Sequence, residues 1–379
     1  MSGLSDSIRK QNEFTRITEW NEAGWTGKGI TVWDVEGLDD HGKMTRSRIL
    51  DAAPEARVLN VCHTMKTANG RLESECVFID DEHSVSADEF IRENHITILS
   101  HSHGGKGDKK PDVVDLYSGL KEKYNLCLFN SAGNDGDKGV QGGALPESIS
   151  IYVGACVPFG GSFDDIRMAN YSAIGDEYEE VDFSTFVGKS GWNGTSFACP
   201  YLAGMAALLQ QRYDMTQDEM YAYFKMNSKP IDTGHTVDGY DYWSGWGVPV
   251  LPPVEKRYVV MQIGRRAFRV DGAWEEMDTA PIIEKQRTFV PIAFAALALG
   301  SQVYWDEKER KVSALKGDRE LTMYIGSRVC YVDGEEYTMD VAPFIKDGRT
   351  FVPISWAALM LNCKVAWVAN EQKVLILER

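Results

Sequence analysis

Residues 30–44 read ITVWDVEGLDDHGKM. A short apolar run ends at Asp34, and His41 follows seven residues later at the head of a segment, Met44–Ala52, with helical spacing. A continuous apolar run of this length fits a strand buried on both faces of a parallel sheet. In such a sheet the carboxyl end of a strand, the loop after it and the start of the next helix share one edge, where ligands bind. A seven-residue segment can span at most about 23 Å, so reach does not prevent an acid here from folding back to within about 3 Å of the imidazole.

The pattern repeats outward from this stretch. Up to about residue 250, apolar runs (RVLNVCH, ITILSHS, LCLFNSA, ISIYVGAC) alternate with helical segments such as SADEFIREN and VVDLYSGLKEKY. Two longer helices follow, over 195–213 and 216–227. The alternation predicts an α/β domain over 1–250, three-layered, with a mostly parallel sheet. The stretch 251–258 lies within VPVLPPVEKRY, whose three prolines read as a linker.

The remainder is an internal repeat, 259–317 and 321–379, forming a smaller α+β domain. IGRRAFRVDG from Ile263 matches IGSRVCYVDG from Ile325, and Arg287, Pro291 and Trp305 recur as Arg349, Pro353 and Trp367, always 62 residues on. Each unit reads as strand, DG turn, strand, an RTFVPI segment, a short apolar helix and a closing hairpin. These units resemble the stalk domain named after the N-terminal domain of copper amine oxidases, which implies attachment to a surface or protein target. Neither repeat contains a histidine, the usual copper ligand.

Composition narrows the function classes. Lys+Arg 40 against Asp+Glu 56 gives a net charge of -16, which disfavours a nucleic-acid backbone as partner. The N-terminal sequence has no apolar core of signal-peptide length, and no segment approaches a membrane span. Seven cysteines without CxxC spacing, an odd number, fit a reducing, cytoplasmic location. The imidazoles of His41, His101 and His103 lack the partners a zinc site needs, so no metal and no cofactor are expected.

Three stretches bear on chemistry. GWNGTSFACPYLAGMAALLQQRY, 191–213, puts Ser196 in the first turn of a buried helix, where free N–H groups and the dipole favour negative charge. The same pattern also describes a simple Ser/Thr cap. LFNSAGNDG carries Asn134 past a strand end, as an amide donor or an ordinary turn. ILSHSHGG ends another run in small residues, where an extended peptide can pair.

Taken in order, these residues resemble the subtilisin-like serine peptidases over about residues 20–250. GWTGKGITVWD is similar to the family's aspartate strand, and HGKMTRSRILDAAPEARVLNV to its histidine helix and the strand after it. SHSHGG stands for its substrate-binding segment, SAGNDG for its oxyanion motif and NGTSFACPYLAG for its nucleophile motif. The resemblance implies a serine endopeptidase acting on proteins or peptides through an acyl-enzyme. Ser196 would be the nucleophile, His41 the base, Asp34 the orienting acid and Asn134 the oxyanion donor. Ser102, His103 and Gly104 would line the substrate cleft. Glu36, Asp39 and Asp40 are rival acids, with Asp40 placed to cap the histidine helix. A chain that keeps the scaffold but acts only as a binding protein through its repeats is the competing class.

Overall fold

The computed structural model describes residues 4–68, 71–80, 83–102, 111–136, 139–140, 145, 148–175, 180–189 and 191–379. The chain divides into two compact units, Met1–Val254 and Glu255–Arg379.

The first unit is built on a sheet of strands β1 (Thr31–Asp34), β2 (Arg57–Asn60), β3 (Ile96–His101), β4 (Cys127–Ser131), β5 (Ile151–Pro158) and β6 (Phe183–Phe186). Their order is β6-β5-β4-β3-β1-β2, all parallel, with Ile166–Met168 added antiparallel on β5. β1, β4 and β6 are buried along their whole length; β1 and β4 lie in apolar runs, as expected of strands covered on both faces, whereas β6 buries Ser184 and Thr185 between two phenylalanines. The strand order reverses beside β1, between β2 and β3, so the carboxyl ends of β1 and β3 flank the crevice where such sheets take ligands.

Helices cover both faces. Trp33, Leu99 and Leu128 pack with Phe90 and Ile91 of α3 (Ala87–Asn94) and with Tyr117 and Leu120 of α4 (Pro111–Tyr124). Neighbouring strand residues point the other way. There Ser100 meets Cys199, and Thr185 donates to the carbonyl of Ala198 at 2.7 Å, both on helix α5 (Thr195–Tyr213). α5 is buried nearly all round, so its sequence is apolar on every face. Helix α2 (Asp40–Ala52) lies against it so closely that a Cβ on Gly204 would fall 2.6 Å from the carbonyl of Ile49. Helix α1 (Asp6–Phe14) and helix α6 (Gln217–Met226), the latter opened by a Thr216–Glu219 capping box, also belong to the unit, as do a short helix Ile17–Glu22 and a small antiparallel sheet of His63–Ala68, Arg71–Phe78 and Ser84–Val85. Residues 251–254 pack here too: Leu251 is buried, and the Trp20 indole donates to the Pro252 carbonyl at 2.9 Å.

The second unit repeats its elements 62 residues apart. Strands Arg287–Pro291 and Arg349–Pro353 each run into a seven-residue helix, Ile292–Ala298 and Ile354–Met360. The DG turns place Asp271, Gly272, Asp333 and Gly334 at positive φ, as two-residue hairpins require. The two sequence repeats are not two bodies in space. Tyr258–Gln262 pairs with Lys373–Glu378, and Lys311–Lys316 with Arg319–Tyr324, so each five-stranded sheet draws strands from both repeats. One core holds Met261 and Met323, Val290 and Val352, Ala295 and Ala357. A lone repeat would leave strand edges and that core face open; the exchange closes both. Reciprocal ion pairs, Arg287 with Asp340 and Arg349 with Asp278, follow the same two-fold relation. Among the described residues no helix is long and apolar enough to cross a membrane.

Candidate active site

Asp34 is the last residue of β1 and is fully buried. Its Oδ2 accepts hydrogen bonds from Thr45 Oγ1 at 2.6 Å and Asn60 Nδ2 at 2.8 Å. Asn60 sits beside it in register on β2, and Thr45 one turn beyond His41 on α2. Both donors also reach the Gly42 carbonyl, each at 3.0 Å, so Asp34 anchors the first turn of the helix. Burial pushes its carboxyl up to about 7, with the nearby Glu36 charge adding to the rise; Thr45, Asn60 and His41 oppose it.

After β1 the chain turns sharply, with the Glu36 N–H donating to the Asp34 carbonyl at 2.8 Å. That turn sends the Glu36 side chain, 1% exposed, back toward the helix. Asp39 caps α2 by accepting from the Gly42 N–H at 2.8 Å. The cap is therefore Asp39; Asp40, expected in that role, is the first helical residue. His41 follows, and its Nδ1 lies 3.2 Å from Glu36 Oε2. This overturns the expectation that Asp34 orients the imidazole. Asp34 is held one layer deeper by Thr45 and Asn60, while Glu36, two residues on and one methylene longer, reaches the ring. The Glu36 hydrogen bond raises the His41 pKa above its ordinary value; partial burial opposes it, and the Glu36, Asp39 and Asp34 charges add to it.

Gly42 permits this turn. A Cβ there would fall 1.9 Å from the Gly37 carbonyl oxygen and 3.3 Å from Glu36 Cβ. Gly42→Ala must displace the 36–37 turn, and a shift of about 1 Å at a reacting geometry costs on the order of 10²-fold. We expect that loss in kcat/KM on a peptide substrate.

On the opposite side, Gly194 is the N-cap of α5, and Ser196 is the second residue of that helix, 6% exposed. Ser196 Oγ lies 3.0 Å from His41 Nε2. Asn134 leaves β4 through Ala132 and Gly133, and its Oδ1 accepts from the Thr195 N–H at 2.8 Å. That contact fixes the amide beside Ser196: the point where a Gly194 Cβ would sit is 2.9 Å from Ser196 Oγ and 3.7 Å from Asn134 Nδ2. The Ser196 N–H belongs to the first turn of α5, where the helix itself provides no acceptor. Ser102 follows β3, is buried, and receives Ser131 Oγ on its carbonyl at 3.2 Å. His103 and Gly104 lie outside the described residues.

The structure thus brings His41, Ser196 and Asn134 together at one sheet edge and substitutes Glu36 for Asp34. The sequence did carry a signal for Glu36. Residues two apart at a strand end share a face, and Thr45, four after His41, supplies a competing partner for Asp34.

Residues 12–247 match the family described as "Subtilase family", and residues 269–376 match "Copper amine oxidase N-terminal domain". The chain belongs to the subtilase family. That family is one of serine peptidases, and in this subtilase the C-terminal unit supplies the stalk-type domain. No curated protein matches the chain. Among solved structures, this subtilase is similar to "PatG macrocyclase in complex with peptide", at 12% identity and a TM-score of 0.41, over 64% of this chain and 95% of that one.

The buried acid has a consequence for stability. The Asp34 pKa is 3.8 ordinarily and about 7 in the fold, so between these values the folded state holds a proton that the unfolded chain releases. Its contribution is complete below pH 3.8 and is lost as pH rises toward 7. Melting temperature against pH for Asp34→Asn, subtracted from that of the unaltered protein, should show this fall; parallel curves would contradict it.

Proposed function

We propose that the protein is a serine endopeptidase that hydrolyses peptide bonds in protein or peptide substrates through an acyl-enzyme. Its nucleophile is Ser196, its base and acid His41, its orienting acid Glu36 and its oxyanion donors Asn134 Nδ2 and the Ser196 N–H. The observation that carries this reading is the hydrogen-bonded path from Glu36 Oε2 through both nitrogens of His41 to Ser196 Oγ, at 3.2 and 3.0 Å.

In this mechanism Ser196 Oγ attacks the scissile carbonyl carbon as its proton passes to His41 Nε2. The developing imidazolium is stabilised by the Glu36 carboxylate, and the oxyanion by the two N–H donors. Collapse breaks the C–N bond, and the leaving amine takes the proton from Nε2. Water then enters, gives a proton to His41 and attacks the ester; expulsion of Ser196 Oγ, reprotonated by His41, frees the acid product. Ser102, directly after β3, marks where an extended substrate would pair. The C-terminal unit serves attachment or targeting.

A fluorophosphonate probe tests the reading. Ser196 should be labelled in the intact protein and labelling should vanish in Ser196→Ala; equal labelling of both would favour a silent scaffold that acts through its repeats. The pH dependence is a second check. His41 must be neutral to accept a proton, and the Glu36 hydrogen bond raises its pKa. The rising limb of kcat/KM should therefore have its midpoint above 6.5, the ordinary histidine value, and Glu36→Gln should move it down. A midpoint at or below the ordinary value would contradict the pairing.

A further inference from the structure

Arg48 is a fully buried cation on α2. It stands seven residues after His41, so it shares the helix face that His41 presents, two turns along. Its guanidinium joins four elements. Nη1 donates to Asp51 Oδ2 at 2.7 Å, on its own helix, and Nη2 to the Phe186 carbonyl of β6 at 2.9 Å and to Gln11 Oε1 of α1 at 3.2 Å. Nε donates to the Phe197 carbonyl of α5 at 3.4 Å, and the group lies over the Tyr201 ring, 4.3 Å from its centre. Phe197 directly follows the nucleophile.

The partners are themselves tied. Gln11 Nε2 donates to the Gly188 carbonyl at 2.7 Å, and Asn12 Nδ2 to the Asp51 carbonyl at 2.6 Å. The Tyr201 hydroxyl donates to Asn12 Oδ1 at 2.8 Å. A buried cation with this many directed partners fixes relative geometry more surely than it adds stability, since its desolvation offsets much of its attraction.

We propose that Arg48 is a positioning residue: it locks the helix bearing His41 against the helix bearing Ser196 and so sets the Nε2–Oγ separation. Through Gln11 it makes α1 part of that lock. The proposal rests on the catalytic reading of His41 and Ser196 given above. It concerns geometry alone, because Glu36 and His41 precede Arg48 on the same segment and keep their own contact.

The test replaces the buried pair with apolar residues, Arg48→Met/Asp51→Leu, which leaves no unpaired charge, at a temperature where circular dichroism shows full folding. Turnover of a peptide substrate should fall about 10–100-fold in kcat. KM should stay within about twofold, and the midpoint of the kcat/KM pH profile should not move. A folded double variant with kcat within about twofold of the parent would overturn the proposal, as would a loss confined to KM. A second reading does not need turnover: the ¹⁵N signal of His41 Nε2 should move in the double variant toward its position in Ser196→Ala. An unshifted signal overturns the proposal even if the parent protein proves inactive, a result that would itself count against the peptidase reading alone.

Discussion

Glu36→Gln should lower kcat by about 10³–10⁴-fold while leaving the fold and substrate binding intact, and Asp34→Asn should cost no more than about tenfold. The contrast follows from what each carboxylate touches. Glu36 Oε2 faces His41 Nδ1 at 3.2 Å, and a carboxylate there demands an N–H on Nδ1, which leaves Nε2 free to accept the proton of Ser196. A glutamine can present its NH₂ instead. The imidazole then carries its hydrogen on Nε2 and cannot serve as base. Charge is lost as well, since nothing then balances the imidazolium. Asp34 is different: Oδ2 only accepts, from Thr45 and Asn60, and an amide oxygen in its place accepts the same two bonds. Its raised pKa means that a neutral side chain is already tolerated there. Steady-state kinetics on one peptide with both variants decides the matter. A large loss in Asp34→Asn beside a small one in Glu36→Gln would reverse the assignment.

Asn134→Ala should lower kcat by about 10²–10³-fold with KM little changed, because its amide N–H is a donor required mainly once charge develops on the carbonyl oxygen. The substitution has a second, smaller effect. Asn134 Oδ1 accepts from the Thr195 N–H at the start of α5, so melting should reveal a loss of the order of a helix cap, about 1 kcal/mol. The two effects separate by measurement: the first appears in kcat of fully folded protein, the second in thermal unfolding. Unchanged turnover in a folded variant would remove Asn134 from the oxyanion site.

Much of this was legible in the sequence because parallel strands and buried helices write themselves as local apolar patterns. Asp34, His41, Asn134 and Ser196 each sit at the strand end or helix start that those patterns place on one sheet edge. Glu36 was legible only as one of several rival acids, because the choice between it and Asp34 depends on a turn between the two and on one extra methylene, neither of which periodicity records. The cap shifted from Asp40 to Asp39 for a similar reason: adjacent aspartates differ only in backbone angles. In the second unit the 62-residue repeat and its turns were plain. The exchange of strands between repeats was hidden, since pairing Tyr258–Gln262 with Lys373–Glu378 joins opposite ends of the unit.

The most direct test is a crystal structure of the protein after reaction with a fluorophosphonate. The account predicts phosphorus bonded to Ser196 Oγ, one of its oxygens within hydrogen-bond reach of Asn134 Nδ2 and the Ser196 N–H, and His41 Nδ1 on Glu36. Phosphorus on another residue, or an imidazole held by Asp34 with Glu36 turned away, would contradict it.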